Sequence, residues 1–205
     1  MKRNTFLLAI AGFAALLAPS AFAGTVEFSP ISQSVALGNQ ASIDILAVGL
    51  GNGVSPALAG FDLTVFFDST ILAPNSVAFS SRLGDPNDPL ETINFNQYVF
   101  SGPTIIGIEM VNVSLLNGAT LFALQTAGPA GFSLGTIVFD TIKGGTSPLT
   151  FLVASSSDET ATDLGLTGGT GSIDVQGASG VPEPGTWMTG GAGLLLACLV
   201  RRLRK

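Results

Sequence analysis

Apolar residues recur at every second position in many short runs along the middle of the chain. The clearest run is AGFDLTVFFD at 59–68, in which alternate residues from Phe61 to Phe67 are apolar, while Asp62 and Asp68 are among the residues between them. A period of two is that of a β-strand, whose successive side chains point to opposite faces. The run therefore predicts a strand with one face toward a core and the other mostly polar.

Runs of the same kind predict an all-β domain. They lie at 25–28, 41–49, 76–80, 92–100, 104–113, 133–142, 149–154 and 171–175. Gly, Pro, Asn and Ser separate them, and no long helical periodicity competes. Regularly spaced short strands with turn signals between them favour an antiparallel β-sandwich of the jelly-roll kind.

Four segments interrupt the predicted strands. RLGDPNDPLE at 82–91 contains two prolines and cannot be an interior strand, and 115–131 predicts a short helix or a turn. The Ser-, Thr- and Gly-rich stretch 154–171 predicts a loop before the last strand. GASG at 177–180 is typical of a flexible spacer.

Charge is distributed unevenly along the chain. Six of the eight basic residues lie at the two ends, whereas 24–180 holds two basic residues against thirteen acidic ones, a net charge of −11. Because nucleic-acid binding requires a basic surface, this acidic body argues against a nucleic-acid partner.

The chain contains no histidine, and its single cysteine is Cys198. A Ser-His-Asp or Cys-His catalytic unit, a His or Cys zinc site and an internal disulfide are therefore excluded within one chain. We predict a protein that is not an enzyme. A carboxylate-dependent or metal-dependent hydrolase stays open as an alternative.

The N-terminus has the three parts of a secretory signal peptide at 1–23. Lys2 and Arg3 precede the apolar stretch at 6–18, and Ala21 and Ala23 supply the small residues that signal peptidase requires. Cleavage after Ala23 is predicted, which would leave Gly24 as the first residue. The alternative is an uncleaved anchor or a buried helix.

The C-terminal segment 177–205 combines the spacer with a motif, a short apolar run and a basic end. The motif is Val181-Pro182-Glu183-Pro184, and the apolar run at 187–200 has 14 residues. As a helix it would be about 21 Å long at about 1.5 Å per residue, which is thin for a hydrocarbon core of about 30 Å. We predict a single short transmembrane helix, and the basic cluster Arg201, Arg202, Arg204 and Lys205 predicts a cytoplasmic C-terminus.

This order of parts closely resembles the PEP-CTERM sorting signal of Gram-negative bacteria that make exopolysaccharide. The resemblance implies that an exosortase, a membrane transpeptidase-like enzyme, recognises residues 181–184. It also implies a transient inner-membrane span at 187–200, retention by the basic end at 201–205, and processing near the motif during export to the surface or matrix. The alternative is a simple C-terminal anchor preceded by a proline turn.

The body at 24–176 resembles the cohesin-type β-sandwich, which is related to carbohydrate-binding modules. The segments that carry the resemblance are LAGFDLTVFFDSTIL at 58–72 and FSLGTIVFDTIKGGTSPLTF at 132–151. It implies the sandwich fold and favours binding over catalysis. The dockerin partner of cellulosomal cohesins is not implied, since no residues of the binding face can be matched.

Individual polar and aromatic residues suggest further sites. Asp85, Asn87, Asp88 and Glu91 gather oxygen ligands that suit Ca²⁺, but they lack the spacing of an EF-hand loop, and a solvated Pro-rich loop is the favoured interpretation. Asp62 and Asp68 would lie about 20 Å apart along a strand, too far for a glycosidase pair. Tyr98 and the phenylalanines could stack on sugar rings, but such residues are more often buried in a core.

Taken together, these patterns predict an exported, non-enzymatic component of the cell surface or of the extracellular matrix in a biofilm rich in exopolysaccharide. Signal peptidase and an exosortase are the expected partners during export, and an exopolysaccharide or a surface protein is the expected partner afterwards. The alternative is a cohesin-like adhesion module with one specific protein or carbohydrate ligand.

Overall fold

The computed structural model describes residues 24–50, 53–126 and 131–177. In these residues eleven strands form two sheets, and one short helix, α1, covers Gly118–Leu124. The strands are β1 (Thr25–Ser29), β2 (Ser32–Ala36), β3 (Gln40–Val48), β4 (Leu58–Asp68), β5 (Leu72–Phe79), β6 (Thr92–Phe100), β7 (Ile105–Ser114), β8 (Phe132–Thr141), β9 (Gly145–Asp158), β10 (Thr167–Gly168) and β11 (Thr170–Gln176). The predicted all-β sandwich is therefore confirmed.

The segments predicted to direct export lie outside the described residues. These are the signal peptide at 1–23, most of the spacer, the motif at 181–184, the apolar run at 187–200 and the basic end at 201–205. Across the part of the chain that the structure describes, no helix has the length and hydrophobicity needed to cross a membrane. Gly24, the predicted first residue after cleavage, is buried immediately before β1.

The two sheets have different sizes. The five-stranded sheet has the order β10-β1-β3-β8-β5, and the six-stranded sheet has the order β2-β11-β9-β4-β7-β6. Neighbouring strands are antiparallel except for the pairs β1–β10 and β2–β11, which are parallel. Because β1 and β2 belong to different sheets, the N-terminal segment crosses between them and closes one side of the sandwich.

Side chains from the inner faces of both sheets form one core. β3 buries Ala41, Ile43, Ile45 and Ala47, and the predicted apolar face of β4 buries every second residue from Phe61 to Phe67. Phe67 lies against Phe139 with ring centroids 5.0 Å apart, and Phe28 stacks on Phe151 at 3.9 Å. Since full burial of one such side chain contributes about 1.5–3 kcal/mol, this core explains why the domain needs no disulfide.

The segment 115–131, predicted as a helix or a turn, contains α1. The helix begins after Asn117, whose side chain accepts a hydrogen bond from the Thr120 backbone N–H at 3.0 Å. Beyond its end, the buried Gln125 side chain donates from Nε2 to the Leu58 carbonyl at 2.6 Å and accepts at Oε1 from the Leu58 N–H at 2.8 Å. Gln125 therefore connects the helix to the start of β4.

Three features of the sheets differ from the predicted strands. β2 and β10 are not among the runs of alternating residues, because β2 is a polar edge strand without an apolar alternation and β10 has only two residues. β9 continues to Asp158 rather than ending at Ala154, since Ser155 and Ser156 pair with Asp62 and Phe61 of β4. Backbone pairing extends the strand where the sequence has no apolar signal.

The segment predicted as a loop before the last strand is held by carboxylates. Asp158 accepts hydrogen bonds from the backbone N–H groups of Thr160 and Thr162, and Glu159 accepts from the Ala57 N–H at 2.8 Å. These contacts explain the acidic residues at 158, 159 and 163 as part of the loop's structure, since Asp163 accepts from the Gly165 N–H in the same way.

Candidate functional site

The outer face of the five-stranded sheet is small and polar. Its side chains bond to one another across the strands: Thr136 donates to Asp44, and Gln40 and Asn75 both donate to Asp140. These bonds occupy the polar groups, and the apolar residues of this face, such as Val138, are only partly exposed. Nothing on this face distinguishes it from an ordinary solvated surface.

The outer face of the six-stranded sheet is different, because it exposes a block of four apolar side chains. Ile93 and Phe95 of β6 lie directly opposite Val113 and Val111 of β7. We call these four residues the apolar quartet. Ile93 is 56% exposed, Phe95 48% and Val113 43%. Because cross-strand neighbours on one face lie about 4.5–5.5 Å apart, the four side chains form one continuous apolar surface.

A polar row lies beside the apolar quartet. Gln97 of β6 donates a hydrogen bond to Glu109 of β7, which lies opposite Thr64 of β4. Beyond this row, Leu152 of β9 lies opposite Thr64 and adds a further apolar side chain, 54% exposed. The face thus combines apolar area with polar groups that fix orientation, as protein-binding surfaces do.

One further aromatic residue on this face, Phe66 of β4, lies opposite Gly107 of β7. A Cβ atom on Gly107 would lie 2.5 Å from Thr64 Cγ2 and 2.9 Å from Phe66 Cε1. The absence of a side chain at Gly107 therefore makes room for the Phe66 ring on the sheet surface. The strand pairs around it make this part of the face rigid.

Asp62 adjoins the apolar quartet, because it pairs with Val111 in the register of β4 and β7. Its pKa is raised, first by burial and then by the charge of Glu109 and a hydrogen bond with it. Its Oδ1 atom is buried and has no hydrogen-bond partner. The carboxylates of Asp62 and Glu109 therefore repel each other when both are ionised.

Replacing Asp62 by asparagine is expected to stabilise the protein at neutral pH. Since the folded state holds the Asp62 proton more tightly than the unfolded chain, this residue costs stability as the pH rises from about 3.8 through its raised pKa. The gain should be present at pH 7 and absent near pH 3. Thermal denaturation at both pH values measures it, with Asp44→Asn on the opposite sheet as the control for net charge. A gain of equal size at pH 3 and pH 7 would show that the pKa of Asp62 is not the cause.

The four residues predicted as a Ca²⁺ site lie in the loop 82–91 between β5 and β6. Asp85 accepts from the Asn87 N–H, Asp88 accepts from the Leu90 N–H, and Glu91 accepts from the Asp85 N–H at 2.8 Å. Their carboxylates thus bind the loop's own backbone. Across residues 24–50, 53–126 and 131–177, no three or more His, Cys, Asp or Glu side chains are grouped so as to hold a metal ion.

The carboxylates of β4 are arranged as the strand pattern predicts. Asp62 and Asp68 both lie on the outer side of β4. Asp68 accepts hydrogen bonds from the Thr70 hydroxyl and backbone N–H, and these bonds lower its pKa. Two shallow clefts, of about 210 and 260 Å³, are smaller than the roughly 300–1,000 Å³ of typical small-molecule sites.

The exposure of the aromatic residues in β6 was not predicted. Phe95, Tyr98 and Phe100 are 48%, 54% and 77% exposed, whereas the general preference of aromatic residues is for the core. The signal that could have indicated this is the composition of TINFNQYVF at 92–100, in which threonine and asparagine share one of the two alternating sets with Tyr98 and Phe100, and Gln97 interrupts the other. A strand with no consistently apolar face is typical of the edge of a sheet.

Solved structures with the same fold are cohesin modules. The structure superposes on a type I cohesin, in the OlpA cohesin–dockerin complex from Clostridium thermocellum, with a TM-score of 0.55 and 13% identity, covering 75% of this chain and 99% of that one. For the seventh ScaB type I cohesin from Pseudobacteroides cellulosolvens the TM-score is 0.52 at 17% identity, covering 78% of this chain and 97% of that one. For a type II cohesin domain from the cellulosome of Acetivibrio cellulolyticus it is 0.51 at 12%, covering 74% and 95%.

These similarities define the class of the domain as a cohesin-like β-sandwich, as its sequence pattern predicted. No protein-family model matches the chain, and no curated protein matches its sequence. The similarity to the solved cohesins is therefore one of fold.

Proposed function

We propose that this protein is an exported, non-enzymatic binding module that docks a partner protein on the outer face of its six-stranded sheet. The observation that carries the proposal is the exposed apolar quartet, placed on a rigid sheet beside the polar row of Gln97 and Glu109. Apolar side chains that are exposed as a group are typical of interaction sites, whereas single ones are not. The opposite sheet, with its small polar outer face, provides no comparable surface.

The chemistry of the face defines the partner. A partner that covers the apolar quartet must present apolar side chains at the centre of its own surface. Because the body between 24 and 180 carries a net charge of −11, the partner's rim is neutral or basic. Among the solved structures of the same fold, the OlpA cohesin is in complex with a dockerin, which supports a protein partner in general terms.

The proposal includes the route by which the protein reaches its partner. Signal peptidase removes residues 1–23, and the segment at 187–200 spans the inner membrane transiently. An exosortase then recognises residues 181–184 and processes the chain near this motif. The mature protein resides at the cell surface or in the extracellular matrix of a Gram-negative bacterium. The support for this route is the order of parts in the two terminal segments.

The intact mass of the protein from its own host tests the route. We expect a species that starts at Gly24 and ends near residues 182–184, recovered from the surface or extracellular fraction. Deletion of 181–205 should abolish this processing and change the location of the protein. A membrane-bound species that still ends at Lys205 would contradict exosortase processing and indicate a simple anchor.

A second candidate function is contact with exopolysaccharide. Tyr98 and Phe100, which are both well exposed, carry this possibility because aromatic faces stack on sugar rings. A glycan array separates the two functions: binding that is lost on Tyr98→Ala but retained when the apolar quartet is changed would favour the polysaccharide. A passive matrix component would bind no glycan and no protein in a saturable way.

A further inference from the structure

The last strand of the six-stranded sheet, β6, has an open edge. β6 and β7 pair without any shift in register over nine residue pairs. The Ser101 N–H donates to the Ile105 carbonyl and the Leu115 N–H donates to the Glu91 carbonyl, so the odd-numbered residues of β6 bond to β7. In an antiparallel ladder the intervening residues direct their N–H and C=O groups to the other side. These residues are Thr92, Asn94, Asn96, Tyr98 and Phe100.

Within the described residues, only the Thr92 end of this edge is covered. The Thr92 N–H donates to the Asp88 carbonyl at 3.1 Å, and the Asn94 side chain donates to the Pro86 carbonyl at 2.9 Å. From Asn94 to Phe100 four N–H and four C=O groups therefore line the edge. The side chains on both faces of β6 are also exposed, because the five-stranded sheet does not extend beneath this strand.

The other three edge strands of the two sheets carry the features that prevent pairing with another chain. β10 has two residues, β2 has five, and β5 contains Pro74 and a register shift next to it. Short strands, prolines and bulges are the usual devices that protect an edge. β6 has nine residues, no proline, no glycine, no bulge and no charged residue.

We propose that β6 pairs antiparallel with β6 of a second copy of this chain, about a two-fold axis at Gln97. In this register Asn94 pairs with Phe100 of the other copy and Asn96 pairs with Tyr98, so that all the free backbone groups from 94 to 100 are bonded. A two-fold arrangement is self-complementary, as the interfaces of most homodimers are. The two six-stranded sheets become one continuous sheet.

The charge distribution and the shape of the edge favour a second copy as the occupant. The body has a net charge of −11, so two copies can be expected to meet only at a surface that carries no charged residue. β6 supplies that neutral surface. A concave cleft of about 260 Å³, lined by Pro86, Pro89, Thr92 and Asn94 among others, lies at the point where the pairing places Phe100 of the other copy. Phe100 is 77% exposed, and in this arrangement its ring would pack against the prolines of the cleft.

A cysteine pair tests the register. In the exported protein with Cys198→Ala, Gln97→Cys is expected to give a disulfide-linked dimer on mild oxidation, since the two Cα atoms face each other at about 4.5 Å. Phe95→Cys and Val99→Cys are matched controls: each alone should give no link, while a mixture of the two should give a linked heterodimer. Failure of Gln97→Cys to form the link would overturn the proposed pairing.

A proline at Asn96 tests the role of the free edge. The Asn96 N–H does not belong to the β6–β7 ladder, so Asn96→Pro removes a donor from the edge and leaves the sheet intact. By light scattering over a concentration series, the wild-type protein should dimerise and the variant should do so about tenfold or more weakly. Circular dichroism confirms that the variant is folded. A wild-type protein that remains monomeric, as it would if the edge served another protein's strand, would overturn the proposal. So would a variant that dimerises as well as the wild-type protein.

Dimerisation through the β6 edge can be tested separately from partner binding on the outer face of the six-stranded sheet. Substitutions in the apolar quartet change the outer face and leave the edge groups in place, whereas Asn96→Pro changes the edge. Loss of dimerisation and loss of partner binding are therefore measured on different variants.

Discussion

Replacing Val113 by lysine is expected to weaken partner binding by about 30-fold, which corresponds to about 2 kcal/mol. Val113 is 43% exposed and lies opposite Ile93 in the apolar quartet, on the outer face of the sheet. A lysine at this position would place a charge among apolar side chains that a bound partner covers. Its desolvation is unfavourable in the complex and costs nothing in the free protein. The fold should be unaffected.

The measurement is the quantitative capture of secreted proteins of the producing organism on the immobilised protein, below saturation. Val138→Lys is the matched control. Val138 is a partly exposed valine on the outer face of the five-stranded sheet, so it receives the same substitution on the opposite surface. Capture that falls equally with both variants, or with neither, would contradict the assignment of the binding face.

Replacing Gln125 by alanine is expected to lower the free energy of unfolding by about 2–4 kcal/mol. The Gln125 side chain is fully buried and bonds to both the N–H and the C=O of Leu58. Removing it leaves two buried backbone groups without partners, each of which costs about 1–3 kcal/mol. The substitution also releases α1 from the first residue of β4, an interior strand of the six-stranded sheet. Urea denaturation of the two proteins measures the difference.

Two variants control this prediction. Gln176→Ala removes an exposed glutamine and should change stability by less than about 0.5 kcal/mol. Gln125→Glu keeps the acceptor for the Leu58 N–H but loses the donor for the Leu58 carbonyl, so it should also destabilise the protein. A Gln125→Ala protein as stable as the wild type would show that the two bonds to Leu58 contribute no net stability.

The sequence predicts the sandwich well because its interior strands follow one rule. In β3 and β4 the inward positions are apolar and most of the outward positions are polar. The period of two therefore identifies both the strand and the face that is buried. Sheet order does not follow from such patterns. Nothing in the sequence indicates that β7 lies between β4 and β6, because strand pairing over long separations depends on the packing of the whole core.

The candidate face was harder to predict for the same reason. Ile93, Phe95 and Val113 are individually ordinary strand residues, and they become a group only when β6 pairs with β7. The repulsion between Asp62 and Glu109 arises from pairing between β4 and β7, since the two acids are 47 positions apart in the chain. The edge position of β6 leaves its aromatic residues exposed, against their usual preference.

The most direct test of the account is a photo-crosslinking residue placed at Val113 or at Val138 in the producing organism. We expect that Val113, on the outer face of the six-stranded sheet, forms a crosslink to one defined protein partner at the cell surface or in the matrix. Val138, on the outer face of the other sheet, should form none. No crosslink at Val113, or the same products from both positions, would contradict the proposal that this face binds a specific protein.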